Sequence, residues 1–110
     1  MGSKEKSSPK YLIEATFVVE GVVERHDVIG AIFGQTEGLF PKEFELRELQ
    51  KSGKIGRIDI TLKSEKDRTE GKISAPSSLD RSETAIIAAA MESVDRVGPC
   101  AAKISIVKIS

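Results

Sequence analysis

From Tyr11 to Gly21 the stretch YLIEATFVVEG packs β-branched and aromatic residues closely together, with Leu12 and Ile13 opening it and Gly21 closing it. This pattern predicts a first strand. The period then lengthens. Val28, Ile29, Ile32 and Phe33 recur at helical spacing behind Asp27, a residue suited to cap a short helix. Gly38 supplies a left-handed end, and Leu39 just beyond it can fold back on the helix.

Pro41 opens a new segment in which Phe44, Leu46 and Leu49 lie among charges, predicting a short connector helix that Gly53 terminates. KIGRIDITLKS alternates well enough for a strand with one buried face, and EKDRTEGKISA returns as its hairpin partner around a charged turn near Asp67, with Pro76 as its end. Ser77 with Asp80 resembles a capping box. The helix behind it carries Leu79, Ile86, Ile87, Ala90, Met91, Val94 and Val97 on one face, and Gly98 and Pro99 stop it. CAAKISIVKIS supplies a last strand through Ile104, Ile106 and Ile109.

The order is strand, helix, connector helix, strand, strand, helix, strand. It predicts two βαβ halves in an α/β (α+β) sandwich of ferredoxin-like βαββαβ type, with an extra short connector helix and a largely antiparallel sheet. Helices would cover one face, leaving Arg57, Asp59, Thr61 and Lys63 on a wet one.

Composition narrows the function. With 110 residues and 39% apolar content the chain makes one small domain, residues 11–110 behind a polar leader at 1–10 that is expected to be flexible. Seventeen basic residues balance seventeen acidic ones, so no net field draws the chain to nucleic acid or to a membrane, and any such partner must meet a local patch. The single cysteine, Cys100, forms no internal disulfide and fits a reducing compartment, with the cytoplasm as the default. No apolar run is long enough to span a bilayer.

Catalytic chemistry finds little to stand on. FVVEGVVERHD imitates the first half of a Toprim metal site, a Glu-Gly at a strand end and an Asp shortly after, but the Asp-x-Asp that would complete the Mg²⁺ cluster is absent. His26 is the lone histidine, with no nucleophile at motif spacing, and SGKIGR lacks the earlier glycine and the following Ser or Thr of a phosphate loop. No catalytic residue, no metal ligand set and no small-molecule cofactor is expected.

The densest basic cluster is RELQKSGKIGR. Its Arg47, Lys51, Lys54 and Arg57 read either as one face for a phosphate backbone or as a solvated surface with Glu43, Glu45, Glu48 and Asp59 as ion partners. Leu39, Phe40 and Phe44, following an exposed cap, read either as an anchor for a protein partner or as the sealed edge of the core.

Three long blocks, EGVVERHDVIGAIFGQTEGLF, LRELQKSGKIGRIDI and PSSLDRSETAIIAAAMESVDRVGPCAAKI, closely resemble in order the N-terminal region of archaeal DnaG-type primases. The resemblance runs from Lys10 to Ser110. It implies that the chain stops before the Toprim catalytic domain, where Mg²⁺ would belong, and is not an enzyme by itself. It further implies a place in a protein named for DNA replication priming that also joins the RNA-degrading exosome. There, such an N-terminal region is linked to adenine-rich RNA and to exosome cap subunits. The family supplies no residue-level RNA map. An RNA and exosome adaptor, a scaffold piece of a priming enzyme and a self-contained metal enzyme are the three alternatives.

Overall fold

Burial alternates from Ile13 onward in β1, Tyr11–Glu20, which turns Ile13, Ala15, Phe17 and Val19 into the core and leaves Thr16, Val18 and Glu20 facing outward. The computed structural model describes residues 9–98 and 100–109. Residues 1–8 of the expected leader and Pro99 of the expected helix stop lie outside them. Lys10, read from sequence as leader, is already tied to the sheet, since its N–H donates to the Ser77 carbonyl at 2.8 Å and its carbonyl accepts from the Ile109 N–H at 3.0 Å.

The other elements are α1 (Arg25–Thr36), α2 (Leu46–Ser52), β2 (Asp59–Glu65), β3 (Arg68–Ser77), α3 (Arg81–Met91) and β4 (Cys100–Lys108), with short 3-10 stretches at Lys42–Phe44 and Glu92–Val97. The sheet is antiparallel with strand order β2-β3-β1-β4, so the two halves interlock and the N-terminal strand lies inside. This is the ferredoxin-like α/β sandwich that the element order predicts. α3 packs on β1 and β4, while α1 lies against α3 and its 3-10 extension, so all helices share one face.

Several local expectations are corrected. α1 is capped by Glu24, not Asp27; Asp27 sits at the third helical position, and its Oδ2 accepts from the Glu24 N–H at 3.0 Å, which closes a capping box. α3 is capped by Asp80, whose Oδ1 accepts from the Glu83 N–H at 2.8 Å. Ser77 belongs instead to β3, buried, with its hydroxyl 2.8 Å from that of Thr84 and accepting from the Leu79 N–H. Ile86 is exposed, because α3 buries the Thr84, Ile87, Ala88 and Met91 side.

Pro76 does not end β3; it lies within the strand, opposite Leu12. Its carbonyl accepts from Gly56, so its missing N–H points toward the β2 side, where ladder pairing has already stopped at Asp59 opposite Ser74. No sheet bond is lost there. For the same reason β2 starts at Asp59, and Lys54–Ile58 form an irregular lead-in with a single bridge from Ile55 to Ser77. Ile109 falls just past β4 and is exposed.

The two left-handed glycines beside the helix ends are as expected. Gly38 (φ +81°) follows α1 and Gly53 (φ +82°) caps α2, where the Lys54 and Ile55 N–H groups both return to the Leu49 carbonyl. Two buried threonines hold the connections. Thr69 accepts from the Val23 N–H and donates to the Gly21 carbonyl, fixing the β1–α1 link, and Thr36 does the same work after α1.

Candidate binding surfaces

α2 is amphipathic over seven residues: Leu46 and Leu49 are buried, and the opposite side presents Arg47 and Lys51 to water. Arg47 turns back toward α1, with Nη1 3.7 Å from Glu37 Oε2 and its guanidinium 5.9 Å from the centre of the Phe33 ring. Lys51 Nζ lies 3.7 Å from Glu48 Oε2 one turn earlier. Arg57 Nε lies 3.5 Å from Asp59 Oδ1 at the entry to β2. Lys54 is exposed on the loop between them. All four basic residues are exposed along the segment that runs from α2 to β2, and three of them have a carboxylate within 4 Å. These are open, solvated pairs with separations at the long end of the ion-pair range, worth ~0.2–1 kcal/mol each.

Leu39, Phe40 and Phe44 divide. Leu39 is 62% exposed, Phe40 is half-buried, and Phe44 packs against the core. Thr36 organises them. Its hydroxyl donates to the Phe33 carbonyl at 3.0 Å and accepts from the Leu46 N–H at 3.4 Å, while its own carbonyl accepts from the N–H groups of Leu39 and Phe40. Glu45 Oε1 accepts from Gly38 N–H across the same loop. Thr36 is the residue sequence reasoning missed, though it follows Val28 and Ile32 at four-residue steps on one helical face, which marks it as buried.

The acidic residues are spread out. Glu20 lies opposite Arg68 at one end of the sheet, and Asp59 lies opposite Ser74 near the other, in line with Glu14. Six residues of strand, roughly 20 Å, separate them, too far to share one cation. Among the described residues no three His, Cys, Asp or Glu side chains converge. His26 is exposed between Glu24 Oε1 at 3.6 Å and Asp27 Oδ1 at 3.5 Å. Cys100 is half-buried at the start of β4. On the uncovered sheet face, Thr16, Thr61, Lys63, Lys72 and Lys103 border a shallow depression of about 430 Å³. No helix among the described residues is long and apolar enough to cross a membrane.

No family model matches the chain. Curated proteins do. A protein named DNA primase DnaG from Archaeoglobus fulgidus is 58% identical over 106 residues, which is 96% of this chain and 27% of that protein. The protein of the same name from Pyrococcus horikoshii is 58% identical over 98% of the chain and 24% of its own length, and that from Pyrococcus furiosus is 62% identical over 91% and 22%. The chain is an N-terminal domain of the archaeal DnaG-type primase family. It spans about a quarter of the length of the curated relatives it matches. Among solved structures, a de novo designed protein called Foldit4 shares the fold of this DnaG-type domain, with a TM-score of 0.62 over 92% of this chain and 99% of its own at 7% identity. That likeness concerns the fold alone.

Proposed function

We propose that this DnaG-type domain is a non-catalytic binding module that works in the cytoplasm. It holds adenine-rich RNA through Arg47, Lys51, Lys54 and Arg57 and presents Leu39, with the outer edge of Phe40, to an exosome cap subunit. The observation that carries the reading is the exposure of the four cations along the segment from α2 to β2, three of them in open pairs with solvated carboxylates. A phosphate backbone replaces such partners at little cost, and release of condensed counterions favours the exchange. The spread of Glu20 and Asp59 to opposite ends of the sheet supports the non-catalytic part.

Fluorescence anisotropy with labelled oligoadenylate, against an oligouridylate control, tests it at two or more salt concentrations. Neutralising all four residues lowers affinity at least tenfold and reduces the slope of log K against log salt by about 3, at ~0.7 per phosphate contact. The reading fails if the chain binds no RNA at low salt, or if the quadruple variant binds as well as the parent. The relatives' name supports a second reading, in which the domain is scaffold for a DNA primase. In that case RNA affinity appears only in the full-length protein.

A further inference from the structure

β4 is an edge strand, and the register shows which of its backbone groups are unpaired. The Ile109 N–H reaches inward to the Lys10 carbonyl, so by alternation Val107, Ser105, Lys103 and Ala101 also turn their N–H and C=O toward β1. The backbone groups of Ala102, Ile104, Ile106 and Lys108 therefore point out of the sheet, with no described strand beyond them. This free edge is long and contains no proline or bulge, and Ala102 is exposed while Ile104 and Ile106 are only half covered on the helix side. On the other side Val18 and Val107 are 38% and 41% exposed. Such an edge is a template for another strand.

The geometry points to a second copy of this chain as the occupant, joined β4 to β4 in antiparallel register with Ile104 opposite its own counterpart. Ile104 has outward backbone groups, so the two residues at the two-fold axis would exchange both hydrogen bonds. On the helix side, Ala102 then meets Ile106 of the second copy and Ile104 meets Ile104. On the uncovered side, Val18 and Ala101 continue into Val107, Leu12 and Pro76 of the second copy, one apolar row across the junction. Charge follows the same symmetry. Lys103 meets Ser105 of the second copy, and Glu14 lies one strand further on, so no lysine faces another. Lys103 and Lys108, which would ordinarily guard an edge, do not oppose this pairing. The result is a continuous eight-stranded sheet of two copies, held by a small interface and therefore weakly associated.

Sedimentation equilibrium on the chain from about 10 µM to about 1 mM covers the range in which such an interface fills. The expected result is a reversible shift from 11.9 kDa toward twice that mass. A single monomer mass throughout overturns the proposal, and so leaves the edge to a strand of another protein. Ala102→Pro removes one outward N–H that the monomer does not use; it abolishes association while the circular dichroism spectrum stays that of the parent. Association undiminished in that variant also overturns the proposal.

Ser105 separates dimerisation from folding, because it lies between Glu14 of its own copy and Lys103 of the other. Ser105→Lys steadies the monomer beside Glu14 yet weakens the dimer about tenfold, with two symmetry-related lysine pairs formed. Ser105→Glu does the reverse, loosening the monomer and tightening the dimer. Dimer affinities that move with monomer stability, not against it, refute the register.

Discussion

The tip of the Phe17 phenyl ring lies over Gly71 on the neighbouring strand, so that a Cβ at position 71 would sit 2.2 Å from Cζ of the ring. Phe17 is buried, and it occupies the core-side volume that a side chain on β3 would otherwise take. Gly71→Ala forces the ring to move and costs about 2–3 kcal/mol, at the upper end of overpacking effects. Urea unfolding measures it. The double variant Gly71→Ala with Phe17→Leu recovers part of the loss, and the non-additivity locates the clash in this one contact.

Thr36 joins the end of α1 to the start of α2 through a single hydroxyl. Thr36→Val keeps the shape and leaves the buried Leu46 N–H without a partner, at about 1–2 kcal/mol. Hydrogen exchange provides a local readout: the Leu46 amide exchanges faster in the variant, and amides in β1 and β3 slow or quicken only with global stability.

Asp80 couples α3 to acid. The Glu83 N–H bond first, and the Ser82 hydroxyl second, hold its carboxyl below the ordinary value of 3.8. A depressed folded-state value means that the ionised cap stabilises fully above 3.8, and that this contribution is lost as pH falls through the lower folded-state value. Asp80→Asn retains an acceptor but no charge, so the parent melts at a higher temperature than the variant at neutral pH. The gap closes on acidification below the carboxylate range. Paired thermal melts across pH check this.

Leu39 and Phe44 behave oppositely although only five residues apart. Leu39→Asp changes stability by less than ~0.5 kcal/mol, since its side chain meets water. Phe44→Ala costs about 2 kcal/mol, less than a fully buried Phe, because the ring packs against the core with one edge open. If Leu39 carries the proposed docking to a cap subunit, a pull-down with that purified subunit loses signal in Leu39→Asp while the melting curve is unmoved.

Much of the fold is legible from periodicity because one face of the sheet is buried and the other is not. Ile13, Ala15, Phe17 and Val19 announce β1, and glycines at 38 and 53 mark turns that only a left-handed residue makes comfortably. What periodicity misses depends on neighbours distant in the chain. Pro76 looks like a strand end until β2 is seen to stop short of it. Ser77 looks like a cap until Thr84 takes its hydroxyl. The same holds at the candidate site: the basic run 47–57 is visible in the sequence, but Glu37, the partner of Arg47, comes from the far side of a loop that sequence spacing does not fold.

The bond between Lys10 and Ile109 places the entry and the exit of the domain at one corner of the sheet. Tension drawn through the two flanks would break the β1–β4 rungs one after another, as a zipper opens, instead of loading them in parallel. The domain therefore yields to a modest tug at that corner, and peeling β4 away would lay bare the inner strand β1 and the core behind it.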